Sequence, residues 1–226
     1  MTDKKPNNKN IEVVLKGVRA SFMNVVTPKA RKSDAGDLTG YNFESSFLIP
    51  KEDDKQVEML RAAMRQALEG RWPGQGMKIP ADRRCVRDGE PKDPDTGEVS
   101  ALYEGYDGCF FVSCNRGVSI DEWEVQKKNP VQLLGPRKDA DGKFPRMSGP
   151  EASKHFYSGG YYDVVIRIYG YDGSKQGNPN RINASLEAVK FKGHGEAFGM
   201  KAVDADNLFD EEPEDSEGTS SWQSCL

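Results

Sequence analysis

Residues 159–171, reading GGYYDVVIRIYGY, constrain this chain more than any other stretch. Side chains alternate across a β-strand, so the segment sorts into two faces. Tyr162, Val164, Ile166 and Ile168 make an apolar face that needs a core. Tyr161, Asp163, Arg167, Tyr169 and Tyr171, with Val165 among them, make the other. Tyrosine rings and a guanidinium on one face can stack against flat groups and neutralise an anion. A plain solvated strand face is the alternative, because Tyr has high β-propensity whatever its function.

The rest of the pattern is rich in strands and poor in helix. Residues 11–22 place Ile11, Val13 and Leu15 on one side and Val14, Lys16 and Val18 on the other, which predicts a strand partly buried on both faces. Residues 25–40 carry Pro28, Lys29, Arg31, Lys32, Gly36 and Gly40 and are expected to form a basic loop. A second strand follows, in which Tyr41, Phe43, Phe47 and Ile49 alternate with Asn42, Glu44 and Ser46 before Pro50 ends it. Asp53 and Asp54 suit a helix N-terminus; Val57, Leu60, Met64, Ala67 and Leu68 then recur at helical spacing, and Gly70 supplies the stop. This is a packing helix with no chemistry assigned to it. Residues 71–108 are expected to be a long loop or small insertion in which Trp72 packs. Residues 109–115 predict a third strand, 123–136 short extended pieces, 136–150 a loop, 172–180 a hairpin-type connection, and 181–192 the last strand. Turn-separated strands with one amphipathic helix predict a mainly β domain, a small closed or half-closed barrel with long loops.

Length and composition narrow the function. A chain of 226 residues suits one domain with extensions. No run approaches membrane-spanning length and neither end carries an apolar leader, so a soluble intracellular protein is expected. Cys85, Cys109, Cys114 and Cys225 fit a reducing compartment, and Cys109 and Cys114 differ in parity, so a regular strand would point them apart. With only His155 and His194 and no CxxC, no metal or other cofactor is expected. There is no glycine-rich phosphate loop and no GxSxG elbow, which argues against an enzyme. The enzymatic alternative is a metal-dependent nuclease built on Asp163 and Glu187.

The net charge of −4 hides an asymmetry. Of 36 acidic residues, eight (Asp204, Asp206, Asp210, Glu211, Glu212, Glu214, Asp215 and Glu217) lie in residues 204–217, and no Lys or Arg follows Lys201, leaving a body of +4 and a tail of −8. A cationic surface paired with an anionic segment is the pattern of a polyanion binder. Candidate cations are Lys29, Arg31, Lys32, Arg116, Lys127, Lys128, Arg167, Lys190 and Lys192, and candidate rings are Tyr161, Tyr169 and Tyr171, with Trp123 and Phe111 as outsiders. Single-stranded nucleic acid binds such surfaces through base stacking and phosphate contacts, with little sequence preference. Rings and cations accept RNA as well as DNA. A tethered polyanion can occupy the same groove, and Trp222 and Leu226 add apolar anchors beyond the acidic run. An adaptor that uses the acidic end alone, without nucleic acid, is the other alternative.

The strings GGYYDVVIRIYGYDGS, INASLEAVKFKGHGEAFG and AVDADNLFDEEPED, with the apolar end, resemble bacteriophage single-stranded DNA-binding proteins of the OB-fold type with an acidic C-terminal tail. The resemblance implies a five-stranded OB-like barrel over residues 11–203, between an N-terminal arm (1–10) and a disordered acidic tail (204–226). It implies that the barrel binds unpaired DNA through Tyr161, Arg167 and Tyr169, and that the tail contacts replication proteins such as DNA polymerase or helicase. It further implies a monomer or homodimer in the cytoplasm of the infected bacterium. Two departures are visible: the helix falls between the second and third predicted strands, where a plain OB fold has it between the third and fourth, and the sequence ends in Leu226 with its aromatic Trp222 four residues earlier, where some relatives end on the aromatic itself.

Overall fold

The computed structural model describes residues 10–174 and 177–199. Its elements in chain order are β1 (Ile11–Lys32), β2 (Leu38–Pro50), α1 (Asp54–Arg71), a 3-10 turn (Ala81–Arg83), β3 (Val86–Asp88), β4 (Cys109–Val118), α2 (Ile120–Glu124), β5 (Gln132–Leu134), α3 (Gly149–His155), β6 (Tyr161–Tyr171) and β7 (Arg181–Gly193). Five strands close a barrel in the order β1–β2–β4–β7–β6 and back to β1. Every seam is antiparallel except β4–β7, which meet in parallel at Asn115 and Ser185. The short strands β3 and β5 add to the outer sides of β4 and β7. This is the expected OB-like barrel with two extra strands, and α1 does sit between the second and third barrel strands.

The first strand can serve two neighbours because it bends. Its pairing with β6 is irregular between Leu15 and Val18, where Gly17 has φ 63°, and its pairing with β2 is irregular between Ser21 and Asn24, where Phe22 has φ 52°. Such bulges turn a strand and sharpen its twist. Residues 25–32, expected as a basic loop, instead continue this strand. Val25 and Pro28 are buried, which holds the backbone extended, and the chain turns only at residues 33–37, where Ser33 N donates to Asp37 O at 2.8 Å.

The alternation read from residues 159–171 is realised in full. Tyr162, Val164, Ile166 and Ile168 are completely buried and share the core with Leu15, Phe43, Phe47, Leu186 and Val189. At about 1.5–3 kcal/mol per fully buried large apolar side chain, this cluster is the main stabilising contribution. The Tyr162 hydroxyl is not orphaned: it donates to His155 O at 2.9 Å and accepts from Tyr157 N at 3.0 Å.

Asp53 caps α1 by accepting from Gln56 N at 3.0 Å. The Gln56 side chain in turn takes up the Lys16 backbone N–H at 2.8 Å, where the Gly17 bulge has left it without a strand partner. Val57, Leu60, Ala63 and Ala67 face the barrel. Trp72 is buried at the helix end, as expected of a packing residue. There Gly170 leaves room for the helix, since a Cβ at that position would lie 2.6 Å from Arg71 Cβ, and Arg71 pairs with Asp172 at 3.1 Å.

One further segment differs from expectation, and another carried none. Residues 120–124 form a helical turn instead of an extended piece, because Ser119 and Glu122 make a reciprocal capping box. Residues 194–199 fold back as a strap over the junction of β1 and β6. Phe198 N donates to Ser158 O at 3.1 Å, and Arg19 donates to Gly159 O at 3.1 Å and Glu196 O at 2.7 Å. Gly159 and Gly195 permit this crossing: a Cβ on either would strike the other segment's carbonyl oxygen.

Candidate nucleic-acid interface

The outward faces of β1, β6 and β7 hold several of the residues singled out in the sequence. Tyr161 is 41% exposed, with the Arg19 guanidinium 6.0 Å from its ring centre. Tyr169 and Tyr171 are half-buried and face the same way. Arg167 lies between Glu12 at 3.8 Å and Glu187 at 3.9 Å, and Arg116 donates to Glu187 at 2.9 Å and Ser185 at 3.1 Å. Lys190 pairs with Asp163 at 2.6 Å and stands 4.6 Å from the Phe144 ring centre. Burial pushes the Asp163 carboxyl up, but hydrogen bonds from Lys190 and Gly17 N outweigh it, so its pKa falls below the ordinary value. Asp163 and Glu187, the carboxylates of the nuclease alternative, are therefore each held by cationic side chains, an arrangement that leaves little of them for a metal.

The remaining expected cations divide between the hairpin and the loops. Lys29 lies 3.6 Å from Glu44 on the neighbouring strand, Arg31 bonds Thr39 across the ribbon, and Lys32 is exposed where the ribbon ends. Lys128 bonds Glu122 at 2.7 Å, and that contact with the Ser119 N–H brings the Glu122 carboxyl down to about 2. Lys127 and Lys192 are exposed. Trp123 is half-buried and edge-on to Phe43, with ring centres 5.4 Å apart, so it acts as a plug on the core. The acidic tail with Trp222 and Leu226 lies outside the described residues.

A second set of residues, in which only Lys29 and Phe111 were singled out in the sequence, forms a trough across β2 and β4. Ser46, Ser113 and Asn115 have short side chains and make its floor, and they line a cleft of about 280 Å³ together with Phe22 and Lys29. Ser113 and Asn115 also line an adjoining polar cleft of about 350 Å³, whose walls carry Arg83, Arg84, Arg87 and Arg181. At one end stands an aromatic corner. Phe22 is 48% exposed and Tyr103 56% exposed, edge to face at 4.9 Å, and Tyr103 continues through Tyr106 to Phe111. Arg87 is stacked 4.8 Å from the Phe111 ring centre and donates one Nη to Ser113 Oγ at 3.2 Å, while its buried Nε has no partner. The four arginines on these walls suit phosphate oxygens, which guanidinium groups bind in a planar, two-pronged geometry. The two sets meet on β7, where Tyr171 is cross-strand from Arg181 and Tyr169 from Asn183, both wall residues of the polar cleft.

The sequence signal for this trough was the arginine density of RRCVRD at 83–88, but in a segment without periodicity nothing tied it to a strand. Phe22 stood at the end of a predicted strand, where parity no longer assigns a face.

A closed five-stranded barrel, with a trough over its second and third strands rimmed by rings and arginines, is an OB-like fold. The comparisons give its family. The family model described as Enterobacter phage Enc34, ssDNA-binding protein, matches residues 11–219, and the chain belongs to that family. Protein p50 of Acyrthosiphon pisum secondary endosymbiont phage 1 is 26% identical over 211 residues, covering 89% of this chain and 94% of the relative. The single-stranded DNA-binding protein of bacteriophage Enc34, solved in complex with ssDNA, superposes with TM-score 0.59 at 18% identity, over 88% of this chain and 97% of that one. Its C-terminal truncation gives TM-score 0.58 at 18% identity, over 87% and 95%. Among the described residues no helix is long and apolar enough to cross a membrane.

Proposed function

We propose that this protein binds and protects single-stranded DNA with little sequence preference during phage replication and recombination, in the cytoplasm of the infected bacterium and without catalysing a reaction. The strand enters at Phe22 and Tyr103, follows Ser113 and Asn115 past Arg87 and Arg181, and leaves over Tyr169 and Tyr171. Arg167, Lys190 and Lys192 serve as outlying phosphate contacts, and the hairpin cations Lys29, Arg31 and Lys32 flank the entry. Stacking supplies about 1–3 kcal/mol per base and selects the unpaired strand, since a duplex hides its base faces. The observation that carries this reading is the polar cleft over Ser113 and Asn115, walled by Arg83, Arg84, Arg87 and Arg181 and adjoining a cleft lined by the exposed Phe22 ring. Family membership supports the same ligand.

The acidic tail, residues 204–226, is assigned two roles: competing with DNA for the cationic surface and recruiting replication proteins. The test is fluorescence anisotropy with single- and double-stranded oligonucleotides, using the full chain and a chain ending at residue 203. The expected result is preference for the single strand, and tighter binding by the shorter chain, most visibly at low salt. Equal affinity for both DNA forms would reject the role of the rings. Unchanged or weaker binding after truncation would reject the competition.

A further inference from the structure

On the other side of Arg84 from the polar cleft, α1 and residues 77–86 enclose a groove of different character. Its floor is apolar, made by Met64, Leu68, Met77, Ile79 and Ile182, with a volume of about 380 Å³. It runs into a second cleft of about 280 Å³ floored by Leu60, Val86 and Phe110. The rim is cationic, carrying Arg61, Arg65, Lys78 and Arg84. Methionines adapt their shape to an apolar guest, while the floor offers bases few flat rings to stack on. The groove therefore suits an acidic peptide with an apolar pair, and not a nucleic-acid strand.

The chain itself contains such a segment, Asn207-Leu208-Phe209-Asp210-Glu211-Glu212. We propose that this segment docks in the α1 groove of its own chain, Leu208 and Phe209 on the methionine floor and Asp210, Glu211 and Glu212 against the arginine rim. The last described residue, Gly199, is bonded to Glu104, and Phe198 packs in the same small cluster as Tyr106 and Phe111, next in sequence to the groove residue Phe110. Eight residues lie between Gly199 and Leu208, a reach of about 30 Å when extended. Charge complementarity between the segment's carboxylates and the rim's Arg61, Arg65, Lys78 and Arg84 is what selects the groove.

Arg84 lines the groove and the polar cleft alike, and Arg87 lines both the second cleft and the polar cleft. Docking engages these arginines from one side while DNA engages them from the other, so the two compete without occupying the same space. This link to DNA, though not the docking, rests on the function proposed above.

The test uses the full chain, labelled at methionine methyls, and compares it with the double variant Leu208→Ser, Phe209→Ser. The expected result is displaced Met64 and Met77 methyl resonances in the variant and an unmoved Met147, with a thymidine oligonucleotide driving the native spectrum toward that of the variant. Indifference of Met64 and Met77 to the double substitution would overturn the docking. So would a response that grows with protein concentration, which assigns the groove to a second copy's tail, or one reproduced by Trp222→Ala alone. Displaced methyls in a protein that binds no oligonucleotide would uphold the docking and reject the DNA function.

Discussion

Phe22 offers a way to separate DNA affinity from stability. It is a non-glycine residue at φ 52° within a strand bulge, and its ring stands 48% exposed at the head of the trough. A left-handed backbone costs an L-residue about 1–2 kcal/mol, and glycine escapes that strain at an entropic cost of about 0.5–1 kcal/mol. Phe22→Gly and Phe22→Ala lose the same ring and the same edge-to-face contact with Tyr103, but only the alanine keeps the strain. The glycine variant should therefore be more stable than the alanine variant by about 0.5–1 kcal/mol, read from urea unfolding. Both should bind a single-stranded oligonucleotide more weakly by one stacked base, about 1–3 kcal/mol or roughly 5- to 150-fold in Kd at fixed salt. Equal weakening at unequal stability is the signature of a ring that touches DNA. A loss below about 0.5 kcal/mol in both variants, or affinities that follow the stabilities, would refute the placement of the strand.

The tyrosine face is tested by Tyr161→Ala with Tyr169→Ala, which should weaken binding by about 2–6 kcal/mol if both rings stack; measured singly, Tyr169, beside the arginine cleft, should carry more of the loss than Tyr161. Arg87→Gln should shallow the salt dependence of log affinity by about 0.7, the value for one phosphate contact on a single strand. An unchanged slope in anisotropy titrations from low to high salt would remove Arg87 from the path. The Glu122 carboxyl, drawn down to about 2 by Lys128 and the Ser119 N–H, contributes stability that is present above its unfolded value near 4.5 and lost as pH falls toward 2. Glu122→Gln should flatten that part of an acid-unfolding profile, and an identical profile would show that the capping box does not hold α2.

Much of the fold was legible where its strands keep a regular alternation. Residues 161–171 alternate so regularly that both faces could be written down from the sequence, and Asp53 marked the start of α1. The tip-to-core extent of β1 was not legible, since lysines and a proline at 28–32 look like a loop until the partner strand is known. The interface was legible in kind more than in place. Rings and cations do share the barrel surface, but Arg167 and Arg116 spend much of their charge on Glu187. Arg83 and Arg87 lie in a 3-10 turn and a three-residue strand, with Arg84 at an isolated bridge between them, elements too short to carry any period. Burial pushes the Cys85 thiol up to about 12, and Cys114 is displaced in the same direction, so both thiols serve as packing residues of the core.

The crossing of Gly159 and Gly195 has a mechanical consequence. Because the two backbones interlock there, with Arg19 and Phe198 pinning the strap, Gly199 leaves the barrel at a fixed point. A methyl group at either glycine would drive the two segments apart and move that point of departure, so the pair of glycines sets where everything beyond the barrel begins.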